Sequence, residues 1–188
     1  MSFSVYRKIA NLILLLVASN LSAQVTYYDA AEFQLLGKAT AATTERYVRL
    51  PDSLEHISRL PLWQLSRNSS GMAVRFRSNS TQVAVKWELL VNFHMDHMTD
   101  VAVKGLDLYC LEGKNWYFVN SARPMGKSTE SSLISGMEAK EREFMIYLPL
   151  YDGLVSLSIG IDAGASINQP AMESPVREKP VVFYGTSI

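Results

Sequence analysis

From Gly71 onward, apolar side chains recur at every second position. Met72, Val74 and Phe76 alternate with Ala73, Arg75 and Arg77, and Val83, Val85, Trp87 and Leu89 alternate with Gln82, Ala84, Lys86 and Glu88. A period of two sends neighbouring side chains to opposite faces of an extended strand, so a chain written this way folds by burying one face of a sheet. The polar cluster Ser78-Asn79-Ser80-Thr81 separates the two runs, and residues 71–77 with 82–89 read as an antiparallel hairpin. Arg75 and Arg77 then share the solvated face of the first strand.

The pattern continues. Residues 105–111 (GLDLYCL) and 115–120 (NWYFVN) flank Glu112-Gly113-Lys114, a short hairpin loop carrying glycine. Residues 142–148 stop at Pro149, which has no N–H to give a ladder. After the turn Leu150-Tyr151-Asp152-Gly153, residues 154–161 place Val155, Leu157, Ile159 and Ile161 on one face and Ser156, Ser158 and Gly160 on the other. Upstream, TYYDAAEFQLLGKAT holds one short helical turn after Asp29, and the chain is irregular to about Leu60. Six or seven short strands with one apolar face each predict an all-β fold, a jelly-roll-type β-sandwich over residues 24–167.

Composition narrows what such a sandwich does. Lys+Arg and Asp+Glu both total 18, and nothing in that balance suggests nucleic acid, whose recognition usually needs a basic face. Arg7 and Lys8 followed by the apolar stretch IANLILLLVA and the exit SNLSA form a secretory signal peptide over residues 1–23, too short for a comfortable bilayer span. The protein is therefore expected to be exported, periplasmic or extracellular, with no stable membrane span after cleavage. Cleavage removes two basic residues and no acid, leaving 16 basic against 18 acidic side chains. The single cysteine excludes an intrachain disulfide, so the core alone must hold the fold. Cys110 shares a strand face with Leu106 and Leu108 and reads as a small buried hydrophobe.

Residues 168–180 (NQPAMESPVREKP) carry three prolines and no periodicity, and read as a linker. Residues 181–184 (VVFY) do not alternate; a short continuous apolar run is the habit of a strand covered on both faces, as in parallel α/β sheets. A second domain is expected to open at residues 181–188, its first strand loose without parallel neighbours.

Two motifs carry a family likeness. Tyr184-Gly185-Thr186-Ser187-Ile188 is similar to the first block of SGNH (GDSL-type) ester hydrolases, where a parallel strand ends in Gly-[Asp/Asn/Thr]-Ser-[Ile/Leu]. Gly105-Leu106-Asp107-Leu108-Tyr109 resembles the G-x-D-L-Y signature of a β-sandwich that precedes the catalytic domain in one bacterial branch of that family. The stretches LWQLSRNSSGMAVRFR, HMTDVAVKGLDLY and YLPLYDGLVSLSIG resemble the same domain.

The resemblance implies that Ser187 is a nucleophile activated by a histidine–acid pair, with its own backbone N–H aimed at the developing oxyanion. Gly185 and Thr186 shape that turn. The resemblance also implies later Gly and Asn oxyanion donors and an Asp-x-x-His base, none of which follows Ser187 within these 188 residues. The implied chemistry is deacylation of a small molecule or a glycan, without metal or cofactor. The implied protein is a longer enzyme whose front part, alone, is inactive.

Other residues bear on this reading. His94-Met95-Asp96-His97 offers an H-x-x-H pair, but residues three apart on an extended chain point to opposite faces and no distant third ligand stands out, so no metal is assigned. A loop at His97 and Met98 that rims the substrate entrance is the role assigned there. His56 reads as surface. Trp63, Trp87 and Trp116, with Tyr27 and Tyr28, are the candidates for a sugar-stacking platform. Trp87 falls on a core face, and one of Trp116 and Tyr117 faces solvent. Asp107 is expected to hold a loop by accepting backbone hydrogen bonds. The competing reading is a secreted sandwich that binds carbohydrate or protein without catalysis.

Overall fold

In a computed structural model describing residues 24–171, ten strands form two antiparallel sheets packed face to face. In chain order the strands are β1 (Val25–Asp29), β2 (Gln34–Leu36), β3 (Ala73–Ser78), β4 (Val83–Leu89), β5 (Leu106–Glu112), β6 (Asn115–Ala122), β7 (Ser128–Ile134), β8 (Arg142–Tyr147), β9 (Leu154–Asp162) and β10 (Ile167–Asn168). Two short helices join them, α1 (Leu60–Ser66) and α2 (Asp100–Lys104). One sheet has the order β1-β9-β4-β7; the other has the order β10-β3-β8-β5-β6, with β2 also paired to β3. The expected signal peptide, most of the expected linker and the expected strand at residues 181–184 lie outside the described residues.

The core lies between the sheets and is built from the alternating positions. Val74, Phe76, Leu106, Leu108, Phe144 and Ile146 face inward from the six-stranded sheet; Val83, Val85, Trp87, Leu89, Leu157, Ile159 and Ile161 meet them from the four-stranded one. The Phe76 and Phe144 rings stack at 5.4 Å. Trp87 is 2% exposed, as its strand face required. Cys110 is buried beside Leu108, and burial pushes its thiol pKa up.

The turn at 78–81 corrects the expected hairpin. β3 and β4 do not pair: β3 bonds to β8, β2 and β10, while β4 bonds to β7 and β9. The chain arches from one sheet to the other, so both apolar faces point into the same core. Asp162 at the end of β9 holds the arch. Its carboxylate accepts the Thr81 amide at 2.7 Å, the Thr81 hydroxyl at 2.7 Å and the Gln82 side-chain amide at 2.6 Å. Burial pushes the Asp162 pKa up, but the bonds from Thr81, Gln82 and Ser80 together outweigh it and hold the group below its ordinary value.

A group whose folded pKa is depressed stabilises the fold above its unfolded pKa, and that contribution fades as pH falls through the folded value. Asp162→Ala is therefore expected to cost about 2 kcal/mol at neutral pH. Melting curves of the two proteins should converge below about pH 4. An unchanged gap at pH 3 would contradict the arch role.

Other strands differ from expectation for local reasons. β9 carries a bulge opposite Glu88 and Leu89, so Leu154 turns into the core and Val155 is exposed. β7 (STESSLI) alternates weakly and is too polar to announce itself; it is an edge strand whose inward residues are Thr129 and Leu133. The stretch before Leu60 holds β1 and β2 as well as the expected helical turn, at Ala30–Glu32, where the Asp29 side chain accepts the Ala31 N–H at 2.8 Å.

Candidate functional site

The G-x-D-L-Y residues occupy the start of β5 and divide their work between its two faces. Gly105 ends α2 and gives its N–H to Val101 O at 3.0 Å. A Cβ there would lie 2.5 Å from Val101 O and 2.9 Å from Ala122 O, so backbone approaches from both sides and only glycine fits. Leu106 and Leu108 are fully buried. Asp107 and Tyr109 point to the outer face of the sheet. Asp107 accepts the Ser121 hydroxyl of β6 at 2.6 Å, a cross-strand bond to a side chain rather than the expected bonds to loop backbone. Tyr109 packs edge-on against Phe118 at 5.7 Å and Tyr147 at 5.4 Å.

The loop between β4 and α2 is held from beneath by two buried charged side chains. Asp152, 1% exposed, accepts the backbone N–H groups of Val91 (3.1 Å), Phe93 (2.8 Å) and Gly153 (2.8 Å). Lys104, also 1% exposed, donates to Asn92 Oδ1 at 2.6 Å and approaches His94 Nε2 at 3.2 Å and Asp100 Oδ2 at 3.5 Å. An ammonium only donates, so His94 Nε2 accepts, and the ring proton sits on Nδ1, 2.8 Å from Asp100 Oδ1. Asn92 adopts a left-handed φ of 71° within this clamp. The result is a fixed loop presenting Val91 and Phe93 to solvent.

His97 and Met98 lie on this loop. His97 is exposed and lies 3.0 Å from the carboxylate of neighbouring Asp96; Met98 is half-buried. Among the described residues, no three His, Cys, Asp or Glu side chains gather into a metal-ligand set. Asp152→Ala is expected to cost about 2 kcal/mol, because three amides lose their acceptor. It should also raise limited proteolysis between residues 90 and 99. Unchanged cleavage would refute the clamp.

The outer faces of the two sheets differ. On the six-stranded sheet, Arg75 is 3% exposed and forms a buried ion pair with Glu143. This corrects the expected solvated face: β3 is flanked on both sides, and Trp116 lies 5.5 Å from the guanidinium. Arg77 pairs with Glu141 at 2.7 Å and is only partly covered. On the four-stranded sheet, a shallow groove of about 390 Å³ is lined by Lys86, Glu88, Ser128, Glu130, Ser156 and Ser158. Tyr27 lies beside it, its hydroxyl 2.7 Å from Glu130 and its ring 3.8 Å from Lys86 Nζ. Burial, reinforced by that bond, raises the Tyr27 pKa.

The aromatic platform does not assemble. Trp63 and Trp87 are buried, Trp116 is taken by Arg75, and Lys86 sits over Tyr27. Ser187, Gly185 and Thr186 lie outside the described residues, so nothing here relates them to Gly105, Asp107, Leu108 or Tyr109, or to His97 and Met98. Sequence reasoning missed Lys104, Asp152 and Asp162. Their only signal was position: a lysine next to a motif glycine, and acids at the ends of strands or turns.

Comparison with known proteins agrees with this architecture. Residues 25–167 match the family described as "GxDLY: N-terminus of Esterase_SGNH_hydro-type". No curated protein matches the chain. Among solved structures, a protein from Bacteroides ovatus described as a GDSL-like lipase superposes with TM-score 0.76 and 37% identity, over 82% of this chain and 45% of that one. Salicylyl-acyltransferase SsfX3, from a tetracycline biosynthetic pathway, shares the fold at TM-score 0.52 and 16% identity, over 82% of this chain and 41% of that one. The chain thus spans less than half the length of either.

Proposed function

We propose a function from one established fact: the chain belongs to the GxDLY family, the N-terminal domain of SGNH-type esterases. It is the front part of an exported serine ester hydrolase, in which the sandwich precedes a catalytic domain opened by residues 181–188. The observation that carries this reading is order within the sequence. A family domain over residues 25–167 is followed by Tyr184-Gly185-Thr186-Ser187-Ile188, which resembles the first block of SGNH ester hydrolases.

Ser187 acts as the nucleophile, and its backbone N–H stabilises the tetrahedral oxyanion; a histidine later in the enzyme takes its proton. The substrate class is an acylated small molecule or an acylated glycan. The loop bearing His97 and Met98 rims the entrance, supported by the clamp of Lys104 and Asp152. Residues 1–188 by themselves turn over no ester, since no Asp-x-x-His follows Ser187 within them. Burial of Trp63 and Trp87, with cations over Trp116 and Tyr27, weighs against the alternative of a sugar-binding module without catalysis.

A serine-directed fluorophosphonate probe tests the assignment. In the full-length enzyme, peptide mass spectrometry should place the adduct on Ser187, whereas the 188-residue chain should remain unlabelled. An active full-length protein modified at another serine would overturn it.

A further inference from the structure

We infer that the cavity beside β2 binds a small organic carboxylate, its charge held by Lys38 and Arg46 and its apolar body laid against Phe33 and Leu35. This goes beyond the hydrolase reading and does not depend on it.

The cavity has a volume of about 490 Å³ and is lined by Phe33, Leu35, Lys38, Ala41, Thr44 and Arg46. Sites for small molecules fall in this size range and combine apolar walls with a few placed polar groups. Its shape comes from the chain that follows β2. Gly37 has φ 76°, and a Cβ there would lie 2.0 Å from Gly71 O, so the chain turns tightly against the residues just before β3. Lys38 then reaches across the loop, donating to Glu45 O at 3.0 Å and to Arg46 O at 2.7 Å. Arg46 Nη2 returns to Phe33 O at 2.7 Å, which ties the far side of the loop to the residue before β2. Thr44 gives its N–H and its hydroxyl to Asp52 Oδ2, at 2.6 and 2.7 Å. The walls are therefore fixed by the chain's own bonds, and a ligand entering pays little to order them.

The charges call for an anion. Two cations line the cavity and no acid does. The acids nearby are committed elsewhere: Asp52 accepts from Thr44, and Glu45 pairs with Arg67. Among the described residues, neither Lys38 nor Arg46 has a carboxylate within ion-pair distance. The hydrogen-bond acceptors of both are neutral carbonyl oxygens. Burial, and then the charge of Arg46, lowers the Lys38 pKa, and the pull of Asp52 does not restore it. A carboxylate in the cavity offsets both effects and takes up donors that an ammonium and a guanidinium still hold after those bonds. The groove on the four-stranded sheet makes the contrast: its Lys86 is answered by Glu130 at 3.1 Å. The apolar wall selects the rest of the ligand. Phe33 and Leu35 offer an inorganic anion nothing, whereas a carboxylate on a short hydrocarbon chain uses both kinds of wall.

A two-dimensional NMR titration of the 188-residue chain with hexanoate provides the test, with hexanamide as the uncharged isostere and sulfate as the anion without an apolar body. Hexanoate should shift the amides of residues 33–46 saturably and bind about tenfold more tightly than either control. Lys38→Gln and Arg46→Gln should each weaken hexanoate about tenfold, and Lys86→Gln should leave it unchanged. Because the first two also remove bonds within the loop, Ala41→Phe, at an exposed lining position, is the second route. It should abolish hexanoate binding with the melting temperature unchanged. Equal binding of hexanamide would reduce the site to an apolar crevice, and equal binding of sulfate would reduce it to a basic patch; either overturns the inference. So would shifts confined to residues outside the cavity, or full binding by Ala41→Phe.

Discussion

If the longer protein is the serine ester hydrolase proposed above, exchanging Ser187 for alanine is expected to lower its hydrolysis of an aryl acetate by about 10⁴-fold or more. The reason lies in what a serine supplies to this chemistry. Its oxygen forms the bond to the acyl carbon, so its loss removes the covalent route rather than one stabilising contact. What survives is transition-state stabilisation by the remaining oxyanion donors and by substrate positioning. The loss should fall on kcat, with KM little changed, because the missing attack occurs only beyond the ground state. Turnover within tenfold of the parent would exclude Ser187 as the nucleophile. A loss confined to KM would make it a binding residue instead.

Gly105→Ala is expected to destabilise the sandwich by about 3 kcal/mol, the upper end of what overpacking costs. For a domain of this size that lowers the melting temperature by about 6–12 °C. The backbone at Gly105 has φ −77°, which any residue adopts, so conformational strain is not the cause. The cause is space, since the added carbon meets Val101 O and Ala122 O, neither of which can rotate away. Gly113 is the control. It has φ 62° in the β5–β6 turn, and a Cβ added there would find nothing within 4 Å. Alanine at Gly113 therefore costs only about 1 kcal/mol, for the left-handed backbone alone. Equal melting shifts for the two variants would refute the steric account and leave the motif glycine a turn residue.

Much of the fold was legible because burial imposes a period. Val83, Val85, Trp87 and Leu89 declared a strand and its inner face, and the structure buries all four. Leu106 and Leu108 were equally plain. The errors share one physical origin. A strand's alternation states that one face is buried without stating against what, so β3 and β4 looked like a hairpin when they belong to opposite sheets. Arg75 shows the same limit on the outer face: flanking strands and Trp116 bury it, and no local pattern records that. Val155 and Leu154 exchange places through one bulged residue, which a strict period of two cannot anticipate.

The candidate site divides along the same line. Gly105, Asp107, Leu108 and Tyr109 were named from the motif alone, because a short string of residues is visible wherever it folds. The sequence by itself determined the strand faces and the family likeness of β5, and it carries the expectation of a nucleophile at Ser187. Tertiary structure alone decided that Asp162 closes an arch and that Asp152 and Lys104 fix a distant loop. Those features depend on groups brought together from positions far apart in the chain, such as Thr81 with Asp162 or Phe93 with Asp152. Side-chain periodicity is a property of neighbours, and it carries no information about contacts that only the packing of two sheets creates.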